Sequence, residues 1–179
     1  MIAIECKPIK DTIVSVPGSK SYTHRTMIAA ALSEGVCTLE NPLRSEDTLL
    51  TLLSLEQMGI AVDDRGEKIV IHGQKGHLAA TQDPIYLANS GTSMRLLTGV
   101  VALGEGPYTL TGTPRMQERP IQELLESLIQ LGVKARCLDD NGCPPVEIDG
   151  RALTGGTVTI DCGTSSQYLS SLLLLAPKT

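Results

Sequence analysis

The chain has no tryptophan and no phenylalanine, and its four tyrosines leave an aromatic fraction of 2%. Recognition of nucleic-acid bases by stacking needs aromatic platforms, so the composition argues against that class of function. Basic residues are also in deficit, with 15 Lys and Arg against 20 Asp and Glu, for a net charge of −5. A general polyanion-binding surface is therefore disfavoured, and any anion site must be a local cluster of cations. The five cysteines, at 6, 37, 137, 143 and 162, form no CxxC pair, and the histidines at 24, 72 and 77 do not stand with them at ligand spacing. No metal site is expected. The odd cysteine count, without a signal-peptide pattern, predicts reduced thiols and a cytoplasmic location. Leu172–Ala176, the longest apolar run near the C-terminus, is far too short to span a bilayer.

What is present suits one domain or slightly more: 179 residues, 41% hydrophobic and 20% charged. The core must be built from Leu, Ile, Val, Ala and Met. The chain is organised around Pro17-Gly18-Ser19-Lys20-Ser21-Tyr22-Thr23-His24-Arg25, a glycine turn with hydroxyls and two cations, followed by the apolar run Met27–Leu32. A loop entering a buried helix is the natural reading. Free N–H groups at such a start, beside Lys20 and Arg25, suit a phosphate or carboxylate.

This element recurs. Ser90-Gly91-Thr92-Ser93-Met94-Arg95 stands 71 residues after Ser19 (90 − 19), and Gly163-Thr164-Ser165-Ser166-Gln167 stands 72 after Gly91 (163 − 91). At the offset of 71, Leu32 meets Leu103, Gly35 meets Gly106, Leu39 meets Leu110 and Arg44 meets Arg115. A fixed period of this kind predicts repeated structural units. Residues 17–89 and 90–161 form two units, and 162–179 begin a third that is incomplete; the chain is thus expected to be a fragment or a short family member.

Each unit reads as turn, buried helix, strand, amphipathic helix and hairpin. In the first, a helix over 19–33 leads to a strand at 36–40, a helix capped by Ser45 and Gly59, and a hairpin around Arg65-Gly66. In the second, strand 85–88 leads to a helix over 93–103, strand 108–111, the charged loop 112–119, a helix with Pro120 at its first position, and a hairpin around Asn141-Gly142. Strand 157–161 opens the third. Two short strands, 2–6 and 12–16, precede the repeats. The fold class is α/β (α+β), with βαβαββ units around buried helices whose polar starts point the same way.

Taken together, Pro17–Ser21 with Arg25, Asn89-Ser90-Gly91-Thr92 with Arg95, Pro114–Pro120, and Ser165-Ser166-Gln167 resemble the 5-enolpyruvylshikimate-3-phosphate synthase family, from about Pro17 to Pro177. The resemblance implies a two-domain enzyme with three such repeats per domain and parallel buried helices. It implies that residues 1–16 belong to the second domain, and that this chain is most of the other. The implied reaction transfers the enolpyruvyl group of phosphoenolpyruvate to the 5-hydroxyl of shikimate 3-phosphate, in a cytoplasmic monomer without cofactor. The partners are then small anionic substrates and the enzyme's C-terminal half, not nucleic acid or membrane.

By motif, Lys20 contacts both substrates and is the catalytic candidate. Ser21, Arg25, Ser165 and Ser166 hold shikimate 3-phosphate, and Gln167 lies between the substrates. Asn89, Gly91 and Arg119 face phosphoenolpyruvate, with Asp47 and Thr92 in supporting places. Gly91 is the form that admits glyphosate, a phosphoenolpyruvate-site inhibitor. Arg95 and Arg115 either touch ligand or brace the fold. A helical histidine such as His24 is more often surface or satisfied core than catalytic.

Two other readings compete. The sister UDP-N-acetylglucosamine enolpyruvyl transferases have a reactive cysteine five residues before an Arg-Pro pair, and here that position is Pro114. A non-catalytic anion-binding module fits the isolated chain, which is expected to be inactive alone.

Overall fold

The computed structural model describes Asp11 and residues 13–179. The first unit holds helix α1 (Lys20–Leu32), strand β1 (Glu34–Glu40), helix α2 (Glu46–Gln57) and strands β2 (Ala61–Asp64) and β3 (Lys68–Gln74). The second holds β4 (Ile85–Tyr86), α3 (Gly91–Val100), β5 (Pro107–Thr111), α4 (Gln122–Gln130), β6 (Lys134–Cys137) and β7 (Val146–Asp149). Helix α5 (Gln167–Leu175) opens the third.

The two complete units share one plan because their sequences carry the same signals. Ser19 and Ser90, 71 residues apart, are both N-caps, each accepting from a backbone N–H at the helix start. Leu39 in β1 and Leu110 in β5 are both buried. The first sheet runs β1-β3-β2 and the second β4-β5-β7-β6, and the shared strands pair antiparallel in both. Strand β4 pairs parallel with β5, with α3 as the crossover between them.

Three expectations are corrected. The strand expected at 12–16 does not form over residues 13–16, which are irregular; Ile13 is 98% exposed. In sequence these residues correspond to β4 of the second unit, but among the described residues they pair with no strand, and β1 stands at the end of its sheet. The strand expected at 2–6 lies outside the described residues. No strand forms at 157–161 either. In the second unit the leading strand pairs with the strand after its helix, and among the described residues no strand follows α5. The side-chain amide of Gln130 takes its place in part, donating to the Thr159 carbonyl (3.2 Å) and accepting from the Thr159 N–H (3.1 Å). Pro120 stands before α4 rather than at its first position. The Ile121 N–H donates to the Gly142 carbonyl (2.9 Å), holding that residue outside the helix as its cap.

The third helix start is also displaced. The N-cap of α5 is Ser166, 76 residues after Ser90 (166 − 90), not 72. Asp161 accepts from the Gly163 N–H (2.8 Å) and Ser165 Oγ from the Gln167 N–H (3.2 Å), so the chain makes an additional turn before the helix begins.

Helix α3 is the centre of the molecule, and none of its residues is exposed. Its contacts with α5 advance in step along both helices. Thr92 meets Gln167 and, one turn on, Leu96 meets Ser171. The two helices therefore run side by side in the same direction. Gly99 lies tight against α5, and its N–H donates to Ser171 Oγ (3.0 Å). With so few aromatics, only two occupy the core, Tyr108 and Tyr168, both fully buried. Each donates its hydroxyl to a carbonyl: Tyr108 to Leu78 (2.8 Å) and Tyr168 to Pro120 (2.7 Å). Among the described residues, no helix is long and apolar enough to cross a membrane.

A Cβ at Gly99 would lie 2.3 Å from Ser171 Oγ and 3.2 Å from the Ser171 carbonyl oxygen. Gly99→Ala is expected to force α3 and α5 apart and cost about 1–3 kcal/mol, read as a lower urea midpoint. A midpoint equal to that of the unsubstituted chain would show that the helices separate freely.

Candidate active site

The starts of α1, α2, α3 and α5 carry the polar side chains singled out by the sequence. At α1, the Ser19 cap leaves Lys20 in the first turn, 46% exposed, and Lys20 pairs with Asp47 in the first turn of α2. Asp47 is held there by the cap at Ser45, which forms a reciprocal pair with Thr48. One carboxylate satisfies only part of an ammonium with three donors, so Lys20 stays oriented and available. Arg25 lies one turn further along α1. Its guanidinium donates to the Ser21 carbonyl (3.1 Å) and to Ser170 Oγ on α5 (2.9 Å), joining the first and third units. The hydroxyls of Ser21 and Ser166 lie on exposed residues.

At α3, Arg119 lies directly over Gly91. A Cβ at Gly91 would stand 2.4–2.5 Å from the guanidinium atoms, and Arg119 also donates to the Asn89 carbonyl (3.3 Å). The absence of a side chain at Gly91 is what lets the arginine settle on the helix start. The residue before the turn, Ala88, has φ +43°, a left-handed conformation that is costly for a residue with a Cβ. The strained turn is fastened on both sides: Leu87 N–H donates to Thr111 (2.8 Å) and Thr113 N–H to Ala88 (2.9 Å). The loop 112–119 is in turn anchored by buried Met116.

Gln167 bridges α3 and α5. Its amide nitrogen donates to Thr92 Oγ1 (3.0 Å) and its oxygen accepts from Arg95 (3.2 Å). Arg95 also stands 5.7 Å from the centre of the Tyr168 ring. Of the alternatives left open for Arg95, the structure shows bracing contacts. Arg115 pairs with Glu118 on the exposed loop (2.7 Å).

The Arg119 guanidinium is held below its ordinary pKa, first by burial and then by the cations of Arg95 and Arg115, against the opposing pull of Asp47 and Tyr168. Cations from loop 112–119 and from α3 thus crowd one another near the helix starts. An anion placed there would relieve the repulsion and gain planar, charge-assisted hydrogen bonds. Among the described residues, no group of three His, Cys, Asp or Glu could hold a metal ion.

Beneath these residues lies a buried polar chain that sequence reasoning missed. His24 Nδ1 is 2.8 Å from Thr51 Oγ1, which is 2.8 Å from Ser93 Oγ. Ser93 Oγ is 2.6 Å from the cap oxygen of Ser90 and donates to the Asp47 carbonyl (3.1 Å). All four side chains are fully buried. His24, read as surface or satisfied core, is core but only half satisfied: its Nε2 has no partner. The available signal was a histidine and a hydroxyl on the apolar faces of α1 and α2, four residues past Lys20 and Asp47 respectively.

Burial lowers the His24 pKa from 6.5 to about 4; the Lys20 and Arg25 cations act in the same direction and Asp47 opposes. Unfolded chains therefore take up this proton between pH 6.5 and 4 while folded chains do not, and stability falls as pH is lowered through that window. The expected loss is on the order of 3 kcal/mol at its acid end. Denaturant unfolding at pH 7 and pH 4.5 should show a clearly smaller acid loss in His24→Asn. Equal losses would mean that His24 is protonated in the fold.

The family model of EPSP synthase (3-phosphoshikimate 1-carboxyvinyltransferase) matches residues 5–179. The 3-phosphoshikimate 1-carboxyvinyltransferase of Methanospirillum hungatei is 48% identical over 163 residues, covering 91% of this chain and 38% of the relative. That of Methanothermobacter thermautotrophicus is 46% identical over 166 residues, covering 93% and 39%. Among solved structures, EPSP synthase from Acinetobacter baumannii superposes with a TM-score of 0.83 at 33% identity, over 90% of this chain and 37% of that one. The chain thus spans about two fifths of the length of these relatives. The shared fold and the family match over residues 5–179 lead to one conclusion: the chain belongs to the EPSP synthase family.

Proposed function

We propose that this chain supplies one face of an enolpyruvyl-transfer site, with the opposite face coming from the rest of a longer enzyme. The substrates on this reading are shikimate 3-phosphate and phosphoenolpyruvate. The observation that carries it is the gathering of Lys20, Arg25, Arg95 and Arg119 around neighbouring helix starts in a protein of net charge −5. Two anionic substrates give that gathering a purpose.

In this reading the phosphate of shikimate 3-phosphate lies between α1 and α5, where Ser21, Arg25, Ser165 and Ser166 donate to it. Phosphoenolpyruvate lies at α3, with the guanidinium of Arg119 and the turn at Asn89–Gly91 around its charged groups. Lys20 reaches both, and Asp47 keeps it there. Gln167 sits where the two substrates meet. The 5-hydroxyl adds across the C2–C3 double bond of phosphoenolpyruvate: its oxygen bonds to C2 and loses its proton as C3 gains one. Loss of phosphate from C2 and of a proton from C3 then restores the double bond and leaves the enol ether. Holding both reactants in place contributes ~7–11 kcal/mol of barrier lowering in favourable cases. Cytoplasmic location, a monomeric enzyme and glyphosate entry beside Gly91 go with this reading.

Calorimetric titration of shikimate 3-phosphate is the test. Lys20→Ala and Arg25→Ala are each expected to weaken binding about 10- to 100-fold, the loss of a charge-assisted hydrogen bond. Both variants binding like the unsubstituted chain would remove the assignment. The chain alone is expected to release no phosphate from the two substrates together. Measurable turnover would show that this face suffices.

A further inference from the structure

The buried chain His24–Thr51–Ser93–Ser90 carries one proton per hydroxyl, and a single arrangement of those protons keeps all of its hydrogen bonds at once, the one to the Asp47 carbonyl included. The Asp47 carbonyl only accepts, so the Ser93 proton points to it. Ser93 Oγ then has lone pairs alone to offer, and both Thr51 and Ser90 donate to it. With its proton spent on Ser93, Thr51 must accept from His24. In that arrangement His24 carries its proton on Nδ1. The other tautomer would leave Thr51 Oγ1 and Ser93 Oγ facing each other at 2.8 Å with no proton between them if Thr51 turned its proton to His24. It would also leave an unpaired N–H on the buried Nε2.

We propose that His24, as the neutral Nδ1–H tautomer, is a positioning residue for the anion site. It acts as the terminal donor of a strut that fixes the start of α1 against the starts of α2 and α3. The strut joins the helix bearing Lys20 to the backbone of Asp47 and to the cap of the helix bearing Gly91. Each of its members is buried, so water cannot substitute for a lost partner. Breaking it lets Lys20 shift relative to Gly91 and Arg119 without removing any group that touches a substrate. As a statement about substrate binding, this rests on the proposed function; as a statement about tautomer and geometry, it does not.

Long-range proton–nitrogen spectra of the labelled chain at pH 7 read the tautomer directly, with the exposed His72 and His77 as internal comparison. His24 is expected to show a protonated Nδ1 and a bare Nε2; a protonated Nε2 would overturn the proposal. His24→Asn places an amide donor where Nδ1–H stood, whereas His24→Leu and Thr51→Val break the strut. The broken variants are expected to move the amide signals of Lys20 and Gly91 and to weaken shikimate 3-phosphate binding about 2- to 30-fold. His24→Asn is expected to restore both. Should His24→Leu fail to fold, the near-isosteric Thr51→Val carries the comparison. Unmoved Lys20 and Gly91 signals in Thr51→Val would overturn the strut. Moved signals and the Nδ1–H tautomer in a chain that does not bind shikimate 3-phosphate would uphold the strut and sink the proposed function instead.

Discussion

Burying the start of a helix obliges the protein to find partners for its polar groups, and this obligation shapes the molecule. Helix α3 is enclosed on every side, yet its first turn reads Gly-Thr-Ser. Left without hydrogen bonds, such groups cost roughly 1–3 kcal/mol each. They are satisfied by residues from α2, α5 and the loop 112–119. Ser93 bonds with Thr51 and the Asp47 carbonyl of α2, Thr92 accepts from Gln167 of α5, and the Asn89 carbonyl accepts from Arg119. The contacts that satisfy the buried helix start also place the surrounding helix starts, and those starts carry the candidate site.

Charge follows the same geometry. The protein as a whole is acidic, but many of its carboxylates are spent in exposed pairs with other cations, such as Arg44–Asp64, Lys68–Glu40 and Arg136–Glu147. Pairs of that kind contribute little to stability. Around the helix starts the balance reverses: Asp47 is the carboxylate paired to Lys20, while Arg25, Arg95 and Arg119 bond to hydroxyl, amide or carbonyl oxygens. Neutral acceptors orient these guanidinium groups without cancelling their charge. Their capacity for an anion is therefore preserved.

Much of this was legible in the sequence because it is local. Ser19, Ser45 and Ser90 announce their helices through capping, and the 71-residue offset aligns the two units from Ser19 to Arg115. What was not legible depends on partners distant in the chain. Thr157–Asp161 has the residues of a strand, but among the described residues it joins no sheet. The start of α5 is displaced by a loop whose side chains bond locally, which an alignment of glycines cannot show. Pro120 has the character of a first helical residue, yet a bond from Ile121 to Gly142 decides otherwise. His24 is the sharpest case. Its neighbours in sequence are Thr23 and Arg25, and its partner Thr51 lies 27 residues away on another helix.

The central claim is that neighbouring helix starts form one anion-binding face. A proton–nitrogen titration of the labelled chain with shikimate 3-phosphate at low salt tests it most directly. The account predicts saturable shifts concentrated at Lys20, Ser21, Arg25 and Ser165–Gln167, smaller ones at Gly91, and none at the distant hairpin β6–β7. Shifts centred on that hairpin, or none in a folded chain, would contradict it.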